Sequence, residues 1–318
     1  MKNIFLFGES MVELLNVSPN AQLPQTLKQS FAGDVFNTAV YLKRVFADMK
    51  VNIVTAVGTD EFSSNMVEYF QQQNIETDFV YRSNDKIAGL YSIKTDSEGE
   101  RTFTYWRENS AARQVMKSID SAEIEKMSQG DVFFFSGISL AVITPEDRPK
   151  FWKMVEKLKS AGVTIIFDPN YRARMWSSPD EAKQEYHQAF TLSNIALPGV
   201  DDFKQLYQLN TAEEVITFSE AYTFDELVIK NGEQGVVYIK DNKRTDIAIT
   251  PVENVVDTTS AGDSFNGVFV GARTAGTNSN DAIKLASASA ALVIQHKGAI
   301  VDQDVFQAFI DNDLYRLN

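Results

Sequence analysis

Asp257-Thr258-Thr259-Ser260-Ala261-Gly262-Asp263-Ser264-Phe265-Asn266-Gly267 is the most chemically informative stretch of this 318-residue chain. Valines precede it at 252, 255 and 256. Val268-Phe269-Val270-Gly271-Ala272 follows as a helix or a buried run. Small residues at 260–262 let the backbone pass close to a ligand. Amides that open a helix can hold an anion, because they are unpaired and lie at the positive end of the helix dipole. A carboxylate beside such a nest repels phosphate, so Asp263 is conspicuous there. Two readings are open: an ordinary N-cap or first-turn acid, or a base that takes the proton from an attacking hydroxyl.

Outward from this stretch, strand and helix signals alternate. Residues 4–8 read as an opening strand, and 11–15 alternate as a second. Residues 51–58 and 131–138 are buried strands that run into glycine, and 163–167 is another, ending on Asp168-Pro169-Asn170-Tyr171-Arg172. Ligands in open α/β folds sit at such carboxyl ends, which makes Asp168, Asn170 and Arg172 candidate contacts, with Arg174 and Trp176 in support. Helices are expected over 35–42, 148–160, 179–190 and 281–294, with a surface helical region around 215–218 and a short strand at 195–197. Two strands, 226–230 and 236–239, flank Asn231-Gly232-Glu233-Gln234-Gly235, a turn whose glycines suit a hairpin. The rhythm is that of an α/β fold whose crossover helices cover a mostly parallel sheet.

The middle of the chain breaks this rhythm. Residues 89–95 and 101–107 alternate across a hydrophilic turn at 96–100, so they read as a β hairpin inserted into the fold. With residues 10–31 this insertion forms a small sheet over the site. Arg107 at its end has the forked geometry that recognises a carboxylate. Tyr91 and Tyr105 lie on the same sheet face, and the plain alternative is a surface arginine beside packing aromatics. Gly33-Asp34…Asn37 opens the 35–42 helix and is equally consistent with simple capping.

Composition narrows the function classes. Hydrophobic residues are 44% of the chain, ample for a core. Thirty Lys and Arg face 43 Asp and Glu, a formal charge of −13, with no basic stripe of the kind nucleic acid requires. There is no cysteine, which excludes disulfides and thiol chemistry. The apolar run 4–8 is too short to span a membrane and stops at Glu9, so a soluble, cytoplasmic protein is expected, without membrane or nucleic-acid partners. The first strand lacks a Gly-x-Gly-x-x-Gly loop, against a dinucleotide oxidoreductase. His187 and His296 have no ligand partner in sequence.

The 257–265 stretch, together with Gly33-Asp34…Asn37, Gly89-Leu90-Tyr91, the 100–107 segment, Phe167 to Arg172, Trp176 and Gly298-Ala299-Ile300, resembles the ribokinase-like (PfkB) carbohydrate kinases over nearly the whole chain. Within that family the set most resembles members acting on 2-keto-3-deoxygluconate. The resemblance implies a three-layer sandwich with a mostly parallel central sheet and a small β-sheet lid. It implies one domain over 1–318, the lid formed by about 10–31 and 87–110. It implies ATP and Mg2+, and transfer of phosphate to the C6 hydroxyl of a sugar acid. Asp263 is then the base, with Ala261 and Gly262 in the anion hole. Gly33, Asp34, Asn37, Tyr91, Tyr105, Arg107 and Arg172 fall to the sugar acid. Asp168, Asn170, Lys230, Gly232, Gly235 and Ser260, with Ala261 and Gly262, fall to the nucleotide. A fructokinase or another sugar kinase of the family, including one for ketodeoxygalactonate, is the implied alternative, and the lid implies a homo-oligomer.

The sequence departs from the family in three places. Ser260 stands where the family often has Gly or Ala, and is small enough to preserve the loop. Ala32 replaces a glycine before Gly33. Where the family often has Asn-x-x-Glu for magnesium and phosphate, this chain has Pro198-Gly199-Val200-Asp201, which leaves Asp201 and Asp202 as alternatives and no metal ligand assigned.

Overall fold

The strands that build the molecule are short and mostly apolar on both faces. In the computed structural model, residues 1–16, 24–95 and 101–312 are described. The 96–100 turn and the 17–23 part of the lid lie outside the described residues. In chain order the strands are β1 (Asn3–Phe7), β2 (Met11–Asn16), β3 (Leu27–Ala32), β4 (Lys50–Val57), β5 (Val80–Arg82), β6 (Gly89–Thr95), β7 (Arg101–Trp106), β8 (Val132–Ser136), β9 (Thr164–Asp168), β10 (Ile195–Ala196), β11 (Glu226–Lys230), β12 (Val236–Lys240) and β13 (Lys243–Ile247).

The main sheet has the order β13-β12-β11-β10-β9-β8-β1-β4-β5. It is parallel from β5 through β11, and antiparallel only where β12 and β13 close one edge. Strands buried on both faces need an unbroken apolar run rather than alternation. β1 shows why: Ile4 and Leu6 join the core on one face, while Phe5 and Phe7 join the other. The second face is unusually aromatic, with Phe7, Phe135 and Phe167 packed on Phe151, Tyr186 and Phe190.

On the first face lie the helices Asp34–Val45, Ala261–Thr274 and Ser279–Val293. The first two touch backbone to backbone at Gly267, where a Cβ would stand 2.4 Å from the Thr38 carbonyl oxygen. Any side chain there would push the helices apart, and their N-terminal ends carry Asp34, Asn37 and Asp263. Close helix contact therefore sets the site's geometry.

A second sheet, β3-β2-β6-β7, forms the lid. Met11, Ala32, Tyr91 and Ile93 on its inner side pack with Ala299. No helix among the described residues is long and apolar enough to cross a membrane.

Some expectations for 131–138 and 215–218 need correction. The strand stops at Ser136, because the Ser136 hydroxyl caps a helix, Gly137–Val142, through a reciprocal box with Ser139. The region around 215–218 is the helix Ala212–Ser219, and Val215 is fully buried rather than on the surface. The Asp131 carboxylate instead bonds the amide of Asn3 and the amine of Lys2.

Candidate active site

The seven parallel strands end on one rim, and polar residues collect there because the strand register lines them up. Ser136 and Asp168 are paired in register at the ends of β8 and β9. Glu9 follows β1, and Lys230 ends β11. The two helix N-termini face this rim from above, bringing Asp34, Asn37 and Asp263 to it.

Neither acid is an N-cap. Gly33 and Ser260 occupy the N-cap positions, and neither makes a side-chain cap. Asp34 instead turns across the rim, accepting from the Ser136 hydroxyl at 2.5 Å and from Asn170 Nδ2 at 3.2 Å. Burial raises its pKa, against the Ser136 hydrogen bond. Gly33 is required by close approach: a Cβ would lie 2.4 Å from the Glu9 carbonyl oxygen.

Asp263, half-buried, accepts from Asn37 Nδ2 at 2.9 Å. Burial pushes its carboxyl up to about 7, and the nearby charge of Asp34 adds to the shift. A carboxylate tuned to neutral pH and held by one amide has the basicity a general base needs. The Ala261 amide donates to the Thr258 carbonyl at 3.3 Å, which leaves Gly262 and Asp263 to supply the free first-turn donors. Gly262 also keeps the way open to Lys230, whose Nζ lies 4.0 Å from where a Cβ would be.

Lys230 is fixed by two partners, Asp168 Oδ1 and Asn266 Oδ1, each at 3.1 Å. Asn266 Nδ2 donates to Asp168 Oδ2 at 2.7 Å, closing a triangle. Asp202 lies nearby, accepts from the Tyr171 amide at 2.9 Å, and is pushed up to about 6 by burial and by the charge of Asp168. Asp201, one residue earlier, is exposed, so Asp202 is the acid that faces the site. Gly232 and Gly235 have positive φ and build the β11–β12 hairpin; a Cβ on Gly235 would strike the Ile247 carbonyl at 2.4 Å.

No group of three or more His, Cys, Asp or Glu among the described residues forms a ready metal cluster. Asp168 and Asp202 are nevertheless hard oxygen donors on this rim, and burial, with the charge of Asp168 adding to it, raises the Asp202 carboxyl to about 6. That donor set suits a magnesium ion that keeps most of its waters.

The lid side holds more charge compensation than sequence suggested. Arg107 forms an ion pair with Glu9, which is 1% exposed, and Glu9 also accepts from the Ser110 hydroxyl. The Tyr91 hydroxyl donates to Glu13, which also takes the Ser30 hydroxyl at 2.8 Å. Burial raises the Tyr91 pKa, and Glu13 adds to it. Tyr105 stacks on Tyr91 with centroids 5.5 Å apart. Arg172 donates to the Tyr171 carbonyl and lies 3.8 Å from Asp202 Oδ1.

Most of the residues singled out from sequence therefore share this rim and its lid. Glu9, Glu13, Ser136 and Asn266 were not singled out. Asn266 had a signal, three residues beyond Asp263 and hence on a neighbouring helix face. The others had none, because their roles depend on contacts distant in sequence. His187 Nδ1 meets the Tyr222 hydroxyl and His296 Nδ1 the Leu292 carbonyl.

Residues 1–305 match the pfkB family carbohydrate kinase model. Three bacterial proteins named 2-dehydro-3-deoxygluconokinase are similar over almost their full length. The one from Escherichia coli K12 is 37% identical (96% of this chain, 99% of the relative), and that from Dickeya dadantii is 38% identical with the same coverage. The Haemophilus influenzae protein is 37% identical (95% and 96%). Among solved structures, the 2-dehydro-3-deoxygluconokinase of Thermotoga maritima superposes with a TM-score of 0.84 at 19% identity, over 98% of each chain. A putative ribokinase II from E. coli, in complex with ATP and Mg2+, superposes with 0.83 at 23% identity over 98% of this chain and 99% of its own. These two establish the three-layer fold.

Proposed function

The chain belongs to the pfkB family of carbohydrate kinases, and we propose that it transfers the γ-phosphoryl group of ATP to the C6 hydroxyl of 2-keto-3-deoxygluconate, also called 2-dehydro-3-deoxygluconate. The observation that carries this is Asp263, a carboxylate raised to about 7 at the start of a glycine-bearing helix, on the rim it shares with Asp34, Asn37 and Lys230.

The sugar acid lies under the lid, its hydroxyls on Asp34 and Asn37 and its carboxylate towards Tyr105, Arg107 and Arg172. Asp263 accepts the C6 hydroxyl proton as that oxygen bonds to the γ-phosphorus. The bond to the β-phosphate oxygen breaks, and ADP leaves with the electron pair. Amides of Gly262 and Asp263 and the Lys230 ammonium stabilise charge on the transferring group, while Asp168 and Asn266 keep Lys230 in position. A magnesium ion held through Asp168 and Asp202 supplies further neutralisation of the phosphates when bound. The lid over the rim excludes water, which limits hydrolysis of ATP. The protein works in the cytoplasm. It assembles as a homo-oligomer through the lid, whose edge strands β3 and β7 leave Leu27 and Trp106 45% and 56% exposed; sizing by light scattering, with Trp106→Glu as the disrupting variant, tests that.

One observation favours a second reading. Glu9 already neutralises Arg107, as a kinase for a neutral sugar such as fructose would also allow. A coupled ADP-release assay with 2-keto-3-deoxygluconate, ketodeoxygalactonate and fructose separates them. A kcat/KM for 2-keto-3-deoxygluconate at least a hundredfold above that for fructose is expected; the reverse order would replace the sugar-acid reading.

A further inference from the structure

We propose that Arg174 is the residue that selects the substrate by charge, drawing the sugar acid's carboxylate into the cleft. The inference rests on the sugar-acid reading and assigns within it a role that neither Arg107 nor Arg172 can fill alone. Three arginines stand at the mouth, and their charges are not equally available. Arg107 is paired with the buried Glu9. Arg172 is 3.8 Å from an Asp202 carboxylate oxygen. Arg174 is exposed, and among the described residues no carboxylate oxygen lies within 4.0 Å of it. In a chain of net charge −13, an anionic substrate approaches against the average field, so one uncompensated cation at the mouth dominates its encounter.

Placement supports this. Arg174 lies in the one-turn helix Ala173–Met175, just beyond the carboxyl end of β9. Its guanidinium carbon sits 3.9 Å from the centroid of Tyr105, which stacks on Tyr91. A stack of two lid rings thus backs the guanidinium. A guanidinium held by the face of a ring spends no N–H on that contact, so its fork stays available for a two-pronged grip on a carboxylate. The same turn reaches the lid a second time, where Arg107 Nη1 lies 3.5 Å from Met175 Sδ. Arg107, pinned by Glu9, can still donate a directed hydrogen bond; the net attraction comes from Arg174.

The test compares the unaltered protein with Arg174→Gln and Arg174→Lys at low and at 0.5 M salt, measuring KM and kcat for 2-keto-3-deoxygluconate and KM for ATP. The glutamine variant should raise the sugar-acid KM at least tenfold, leave kcat within threefold and ATP KM unchanged, and lose most of the salt dependence of kcat/KM. Lysine should restore much of the KM and the salt dependence. A glutamine variant with a sugar-acid KM within twofold of the unaltered protein overturns the assignment, as does equal weakening of ATP. Failure of the unaltered protein to phosphorylate any sugar acid would instead overturn the underlying reading, and this inference with it. Melting temperatures of both variants should match the unaltered protein, because the side chain is exposed.

Discussion

Replacing Asp263 by Asn separates the chemistry of the carboxylate from its cost to the fold. Asn keeps an oxygen that can accept from Asn37 Nδ2, now at 2.9 Å, so the rim should hold its shape. Removing a general base lowers turnover by about 10²–10⁴-fold. Stability should move the other way. The Asp263 pKa rises from 3.8 to about 7, chiefly through burial. That shift corresponds to roughly 4 kcal/mol at most, and to about 2 kcal/mol for a carboxylate that still reaches the cleft. Below the unfolded pKa both states are protonated and nothing is lost. As pH climbs through the folded pKa, the unfolded chain has already ionised and the native state must ionise at a cost, so the wild-type protein loses stability. The asparagine variant escapes that loss. Its advantage should grow from pH 5 to pH 8, ending a few degrees higher in melting temperature. Coupled ADP release and thermal melts at the two pH values read both effects. Turnover within tenfold of wild type, or an advantage that shrinks as pH rises, would refute the reasoning.

Other perturbations probe the supporting contacts. kcat/KM for the sugar should fall about tenfold per pH unit below about 7, as Asp263 takes up its proton, and level off above pH 8; a pH–rate profile flat down to pH 5 would contradict this. Lys230→Ala should raise the ATP KM at least tenfold with little change in the sugar KM, as measured by initial rates. Gly33→Ala forces a methyl to within 2.4 Å of the Glu9 carbonyl, costing about 1–3 kcal/mol in urea denaturation and weakening sugar binding. Glu9→Gln leaves the largely buried Arg107 charge uncompensated, and should cost about 3 kcal/mol in the same assay.

Much of this architecture is legible in sequence because its strands are buried on both faces and their apolar runs end abruptly in polar residues. Asp168, Lys230 and Asp263 stand out for that reason: each is a charged residue where the pattern breaks. What sequence conceals is partnership. That Asp34 reaches Ser136, a hundred residues away, or that Glu9 cancels Arg107, depends on register and on how closely two helices approach at Gly267. The choice between Asp201 and Asp202 was likewise open until helix phase turned one outward and one inward. The 131–138 run concealed its end, since a serine cap looks like one more strand residue until its partner three positions on is seen.

The central claim is that Asp263 faces the attacking oxygen. A crystal structure of the protein with 2-keto-3-deoxygluconate and a non-hydrolysable ATP analogue measures that distance. The account predicts the C6 oxygen within about 2.6–3.2 Å of an Asp263 carboxylate oxygen, with the γ-phosphate at the Gly262 amide. A C6 oxygen out of reach of Asp263, or a sugar acid bound with its carboxylate at the helix N-terminus, would contradict it.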